Sequence, residues 1–418
     1  MGLYVTNKPS SGGNEGEGDT MGKTVFTREF TRQESIPEEG IERAIELLRS
    51  GRLHRYNTGP DEISEVALLE KEFAEYMGVT YCAAFSSCGS SIYVALKCAG
   101  VKPGDMVLSN AFTLAPVPGA IVNAGAKPVL VESTDDYTID LEDLDRKAEA
   151  TGATFLLLSH MRGHITDMDV LSGIVARHGL VLVEDCAHTM GGRWDGRNSG
   201  TFGKIGCFST QTYKHMNSGE GGLLITDDDD VIAQAILYSG SYMLYHAHLS
   251  RPPLDVFERY KRIIPNFSLR MSNLQAVLLR PQLKALDSQV ARWNKRYVFL
   301  EGALNDIDHI TVPRRNPKES YVGSSIQFTL EGLTREKVEQ FLDGCAAQGV
   351  EIKWFGWEEP RGYTSSYDSW QYISHLPELA KTKEVLNFMC DFRIPLTFSI
   401  EDCDIITTVI GEVMQEIV

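Results

Sequence analysis

The 418-residue chain lacks the features that announce several protein classes. No apolar run approaches the ~18 residues of a membrane span. No apolar core near the start reads as a signal peptide. The eight cysteines form no Cys-x-x-Cys pair. Cys82, Cys88, Cys98, Cys186 and Cys207 fall in or beside apolar runs, which suits reduced thiols of a cytoplasmic protein rather than a disulfide framework or a zinc ribbon. No G-x-G-x-x-G run occurs, against a dinucleotide oxidoreductase, and GTFGKIG lacks both the spacing and the hydroxyl of a phosphate-loop NTPase. Positive charge is also scarce. A net charge of −17 argues against nucleic acid or an anionic membrane as the main partner, while leaving room for a local basic pocket.

What is present is an ordinary globular composition, 43% apolar and 23% charged, in a chain long enough for two domains. Residues 1–23, rich in Gly, Ser and Glu, read as a disordered tail. IPEEGIERAIELLRSGRL and VALLEKEFAEYMG carry helical periodicity and meet glycine stops. Helical stretches then alternate with short apolar runs. KPVLVE, TFLLLSH and LVLVED are nearly continuous in Val, Leu and Phe, as strands buried on both faces of a parallel sheet are. Strand, helix, strand in order predicts an α/β large domain over residues 24–282 with a mostly parallel central sheet. Beyond it, a long helix, SSIQFTL, the helix TREKVEQFLDGCAAQG, the short strand VEIKWF and a terminal helix predict a smaller α+β domain over residues 283–418.

Parallel strands of such sheets end at a ligand crevice on their carboxyl side. Polar residues cluster there: Ser86-Ser87-Cys88-Gly89-Ser90-Ser91 after CAAF, His160 to His164 after TFLLLS, Glu184-Asp185-Cys186-Ala187-His188 after LVLV, and Gln211 to Lys214 after IGCFST. Taken singly, each is ordinary. Serine turns cap helices, a glycine between His160 and His164 suits structural histidines better than a metal pair, and lysine is normally solvated. Taken together they suit one ligand. A Ser/Gly turn at a helix start offers N–H groups and hydroxyls to a phosphate. A strand-end aspartate pairs with a protonated pyridine nitrogen, and a lysine forms a Schiff base with an aldehyde. These are the needs of pyridoxal phosphate.

GCFSTQTYKHMNSGEGGLLITDD resembles the Schiff-base segment of the DegT/DnrJ/StrS-type aminotransferases, a mostly sugar-modifying branch of the fold-type I pyridoxal-phosphate enzymes. VLVEDCAHTMGGRWDGRNSGTFGKIGCFS, SHMRGHITDMD, GVKPGDMVLSNAFTLAPVPGAIVNAGAKPVLVE, RMSNLQAVLLRPQL and LNFMCDFRIPLTFSIEDCDIITTVI resemble further segments of that family, in family order. The resemblance implies that Lys214 carries pyridoxal 5'-phosphate and then moves a proton at the substrate, that Asp185 binds the pyridine nitrogen, and that His188 lies beside the ring hydroxyl. It implies that Ser209 and the turn Ser87, Cys88, Gly89 and Ser90 lie at the phosphate. Leu114 stands where the family often has a stacking aromatic, with Phe112 nearby. Asn266 or Ser268 stands where a residue reaches the partner subunit's phosphate in a homodimer with shared sites.

The implied reaction is a ping-pong transamination from an amino acid, glutamate or glutamine, to a small carbonyl acceptor, a sugar by family habit. The alternatives are a non-sugar carbonyl substrate and a non-catalytic cofactor-binding regulator. A dehydratase, in which histidine replaces the lysine, is disfavoured by Lys214. For the substrate side the candidates are His160, Tyr213, Arg270, His246, Trp354 and Trp357. His246, His248 and Arg251 are candidates for the entrance, and Trp354, Phe355 and Trp357 beside Lys353 and Arg361 for an acceptor wall. No metal site is expected.

Overall fold

The computed structural model describes residues 23–359, 361 and 366–418. The tail expected to be disordered lies outside them, except Lys23, whose Nζ pairs with Glu416 at 2.7 Å. The strands are β1 (Tyr81–Phe85), β2 (Met106–Asn110), β3 (Lys127–Val131), β4 (Phe155–Ser159), β5 (Val181–Asp185), β6 (Arg193–Trp194), β7 (Arg197–Asn198), β8 (Ile205–Ser209), β9 (Gly222–Thr226), β10 (Ile310–Thr311), β11 (Glu319–Ser320), β12 (Ser325–Leu330), β13 (Lys353–Trp354) and β14 (Met389–Arg393).

Seven of these form the central sheet in the order β1-β9-β8-β5-β4-β2-β3. The pairs β3–β2, β2–β4, β4–β5 and β5–β8 are parallel, whereas β9 is antiparallel to both β8 and β1. The apolar runs go where continuous hydrophobicity predicts, with helices on both faces. Ile92, Val94, Ile121, Ile232 and Ile236 pack on one side of the sheet. Leu144, Leu171 and Ile174 form a cluster with Leu156 and Leu182 on the other. Gly51 and Gly78 end their helices in the left-handed conformation, at φ 71° and φ 70°, as glycine stops should.

The helix Asn273–Asn305 runs from one packed cluster to the other. Its first half gives Ala276, Leu279, Leu283 and Leu286 to a cluster with Phe73 and Phe208. Its second half gives Tyr297, Leu300 and Leu304 to the C-terminal core. The expected boundary at residues 282 and 283 falls inside this helix. Phe26 and Phe30 precede the first helix but pack in the C-terminal core, with Phe26 N–H donating to Gln348 O at 2.8 Å.

The C-terminal sheet runs β10-β12-β14-β13, antiparallel throughout. Side chains alternate along a strand, so each strand has two faces. Ile326, Phe328 and Leu330 of β12, Cys390 and Phe392 of β14, and Trp354 of β13 enter the core. The register pairs Trp354 with Cys390 and Lys353 with Asp391. Lys353, Asp391, Arg393 and Gln327 therefore share the other face. Among the described residues no helix is long and apolar enough to cross a membrane.

Candidate active site

The carboxyl ends of β1, β4, β5 and β8 meet at one place, as a parallel sheet requires. Asp185 closes β5 and is buried. Ser159 closes β4, the neighbouring strand, paired with Asp185 in register. Ser159 Oγ donates to Asp185 Oδ2 at 2.9 Å and accepts from Thr113 Oγ1 at 2.9 Å. Asn110 holds the Ser159 backbone from both sides, at 3.0 and 2.9 Å. The carboxylate is thus held through both oxygens, since Oδ1 accepts the Ala187 N–H at 3.1 Å and lies 3.8 Å from Cys88 Sγ. Burial pushes the Cys88 thiol well up, so it faces Asp185 as a neutral thiol.

Cys88 opens the helix Cys88–Ala99, whose N-cap is Ser87. Ser87 Oγ accepts the Ser90 N–H at 3.1 Å and lies 2.8 Å from Ser90 Oγ, with Ser86 Oγ 3.4 Å from the same oxygen. Three hydroxyls therefore stand at a helix N-terminus, where the first N–H groups have no helical acceptor and favour an anion. A Cβ on Gly89 would meet nothing closer than 3.8 Å, so the space over the turn is open. A Cβ on Gly222 would collide with the Ser87 carbonyl, so glycine is what lets β9 approach the turn.

Lys214 sits in the connection from β8 to β9, with Ser209 at its start. Ser209 is buried and its Oγ accepts the Gln211 N–H at 3.4 Å. Lys214 Nζ lies 3.0 Å from His188 Nε2. Withdrawal from water, then the Arg162 guanidinium, push the lysine down from 10.5 to about 8, against the pull of Asp185. Burial and Lys214 push His188 well below its usual range, so its neutral ring offers Nε2 as an acceptor. A lysine near 8 reaches its nucleophilic form close to neutral pH.

Phe112 and Leu114 belong to one apolar cluster with Met161, Phe355 and Met389, and Phe112 meets Phe355 edge-on at 5.1 Å. Leu114 is only partly covered there. Tyr213 and Lys214 line a cleft with His188, Arg162 and Arg393. His160 lies beneath this floor, buried and 3.2 Å from Glu184. Glu184 also accepts the N–H groups of Gly200 and Gly203, at 3.0 and 2.7 Å, so His160 is engaged in holding the strand ends.

The segment from Asn266 to Arg270 runs beside the serine turn, with the Ser86 N–H donating to Leu269 O at 2.7 Å. Asn266 and Ser268 are exposed on this segment, and Arg270 donates to Gly240 O at 2.8 Å. His246 is exposed on a separate stretch of surface loop.

Three substrate-side expectations land elsewhere. Trp354 is buried in the C-terminal core with its Nε1 donating to Asn387 O, because register puts it on the core face of β13. Trp357 lines a surface cleft with Arg335, Glu339 and Arg361, and the neighbouring residues 360 and 362–365 lie outside the described residues. His248 is fully buried rather than at an entrance. It bonds Glu70 at 3.0 Å and Tyr56 at 2.8 Å, inside an ion pair of Glu70 with Arg55 at 2.7 Å.

The structure adds Ser159, Thr113, Arg162 and Arg393 to the site. Ser159 ends an apolar strand, the one signal that could have found it. Arg162 occupies a left-handed turn at φ 56°, ψ 19°, rare for a branched-free but bulky residue and a mark of constraint.

The donor set suits pyridoxal phosphate: an anion seat at a helix start, a buried carboxylate fixed by hydrogen bonds, and a lysine of depressed basicity. Comparisons agree. The model of the DegT/DnrJ/EryC1/StrS aminotransferase family matches residues 34–385. The spore coat polysaccharide biosynthesis protein SpsC of Bacillus subtilis (strain 168) is 32% identical over 62% of this chain and 64% of its own length. The chain thus spans just under two thirds of that relative. GDP-perosamine synthase of Caulobacter vibrioides is 33% identical over 68% of this chain and 74% of its own. In three dimensions, 3-amino-5-hydroxybenzoic acid synthase superposes with a TM-score of 0.79 at 24% identity, covering 94% of this chain and all of that one. The fold is the expected fold-type I arrangement.

Proposed function

Because the chain belongs to the DegT/DnrJ/EryC1/StrS aminotransferase family, we propose that it moves an amino group from glutamate or glutamine to a keto- or aldehyde-bearing sugar, in two half-reactions that share one site. The observation that carries the reading is the Lys214 amine, pushed to about 8 and held at His188 over the carboxylate end of β5. The sugar acceptor rests on the polysaccharide and perosamine names of the two relatives.

Pyridoxal phosphate, when bound, supplies an aldehyde that links to amines and a ring that holds the electron pair of a carbon losing its proton. The chain's residues do the rest. Ser87, Ser90 and the helix start would hold the phosphate. Asp185, fixed by Ser159, would keep a pyridine nitrogen protonated by offering it a buried negative charge. Lys214 would take the proton from the substrate α-carbon and hold it at Nζ. His188 orients the lysine, and the Phe112–Leu114 cluster closes off water, which strengthens each of these electrostatic contacts.

We infer a cytoplasmic homodimer. Tyr242, Met243, Ile263 and Phe267 are each more than half exposed and lie on or near the Asn266–Arg270 segment beside the serine turn. An apolar surface of this kind, continuous with the phosphate seat, suits a second copy of the chain. Sedimentation at the mass of one chain would remove this part of the reading.

The test is spectroscopic. The reconstituted wild type should lose its visible absorption on addition of glutamate or glutamine and regain it with a keto sugar, while Lys214→Met should show neither the band nor the response. A wild type that binds the cofactor but is unchanged by either amino acid would support a regulator instead.

A further inference from the structure

One wall of the Lys214 cleft is built by residues that take no part in the cofactor seat. It consists of the segment Gln33 to Pro37, of Gln289 and Trp293 from the helix Asn273–Asn305, and of His215 and Ser324. Phe30 anchors the segment in the C-terminal core. Arg162 stands at the opposite end, facing the Phe355 ring at 5.8 Å in the cluster of Phe112 and Leu114. Trp293 packs instead with Val322 and Leu396. The cleft therefore has a cationic end and a second end of different character, and its volume is about 70 Å³, room for a group of a few heavy atoms.

The polar groups at the Trp293 end are neutral and in part unengaged. His215 is buried, meets the Trp293 ring edge-on at 5.4 Å, and has Nε2 3.1 Å from Ser324 Oγ. Burial, then Lys214, push its ring from 6.5 to about 3, so it carries no charge. Its Nδ1 is buried with no hydrogen-bond partner among the described residues, and the same holds for Gln289 Oε1. Gln282, about two turns earlier on the same helix, spends its own carboxamide on both sides of the Asn217 backbone at 2.8 Å. Buried polar atoms are normally paired, so two unpaired ones lining one cleft mark a place for a hydrogen-bonding ligand group.

Charge decides which group. Glu34 is the acidic residue of this wall, and it holds Arg292 with both oxygens, at 2.9 and 2.6 Å. Arg292 is thereby neutralised at this end. A carboxylate only accepts hydrogen bonds and needs a counter-charge when it leaves water. A carboxamide both gives and accepts them and needs no counter-charge. It also suits either orientation of the Gln289 amide and either tautomer of His215.

We propose that the wall of Gln289 and His215 selects the amino donor, taking the side-chain carboxamide of glutamine and turning away the second carboxylate of glutamate. This rests on the transaminase reading above. Both amino acids carry the same carboxylate on the reacting carbon, so the preference is set at the far end of the molecule.

The probes are glutarate monoamide and glutarate, which are glutamine and glutamate without the amine and so cannot react. Calorimetry reads their affinity for the holoenzyme. The wild type should bind the monoamide about tenfold more tightly, the weight of a polar group buried without its partner. Gln289→Leu keeps the volume and removes the hydrogen-bonding groups. It should weaken the monoamide about two- to tenfold and leave glutarate level. Glu34→Gln releases Arg292 and should strengthen glutarate, narrowing the preference. Half-saturation of single half-reactions with glutamine and glutamate should follow the same order. Equal affinity of the wild type for the two probes overturns the proposal, as does an unchanged preference in both variants. If no donor gives a half-reaction, the transaminase reading fails, and the two probes still decide for or against the subsite.

Discussion

Holding Lys214 ready for chemistry should cost the fold stability, and the cost has a pH signature. In the unfolded chain the amine keeps its proton up to about 10.5, and in the folded one only up to about 8. Each tenfold change in proton affinity is about 1.4 kcal/mol, so the charged lysine is disfavoured in the folded state by about 3 kcal/mol. Lys214→Met removes that burden with little change in volume. It also removes the contact with His188 at 3.0 Å, worth about 1 kcal/mol.

The cofactor-free variant should therefore be more stable than the cofactor-free wild type by about 2 kcal/mol at pH 7, while losing activity. The sign follows from proton binding. Between about 8 and 10.5 the unfolded chain binds more protons than the folded one, so wild-type stability rises with pH across that window. Below it the full penalty applies, and above it none. The variant's advantage should thus be greatest at pH 7, shrink through the window, and turn into a deficit of about 1 kcal/mol beyond it, where only the lost hydrogen bond counts. Urea unfolding of both proteins across this pH range reads the difference from midpoint and slope. Stability curves that stay parallel with pH, or a variant weaker at pH 7, would refute the reasoning.

Ser159→Ala should lower turnover about tenfold with the cofactor still bound, because Asp185 loses the donor that fixes Oδ2; equal turnover would show that the carboxylate needs no such support. Glu70→Gln should destabilise the fold by about 3–5 kcal/mol at pH 7 by leaving buried Arg55 short of its partner. Burial alone would raise Glu70, but Arg55 and His248 hold it down from 4.5 to about 2. Its contribution is therefore full above its unfolded value and lost as pH falls through the folded one, so the deficit of the variant in unfolding experiments should narrow over that acid range.

The two halves of the site were legible in the sequence to different degrees. Continuous apolar runs mark parallel strands, and each such strand delivers its next polar residue to the same edge of the sheet. Asp185 and the Ser87–Ser90 turn could therefore be located by counting from a run, whereas Ser209 comes only from the family resemblance. Lys214 follows β8 by the same logic, and its depressed basicity depends on neighbours that only packing supplies. His248 shows the limit of that approach. Its loop reads as polar surface, yet Glu70 and Arg55 draw it inside.

What the sequence determined by itself was the large-domain sheet and the polar residues gathered on its carboxyl edge, since a period of apolar runs fixes both strand and exit. The far wall of the Lys214 cleft was decided by tertiary structure. Trp354 and Lys353 are adjacent, and one of them must face the core. The register of β13 against β14 sends Trp354 in with Cys390 and leaves Lys353 with Asp391, which puts Arg393 on the side of Lys214. A one-residue slip would exchange every such assignment. No local pattern in IKWF or CDFR carries that choice, because it is made by pairing strands far apart in the chain.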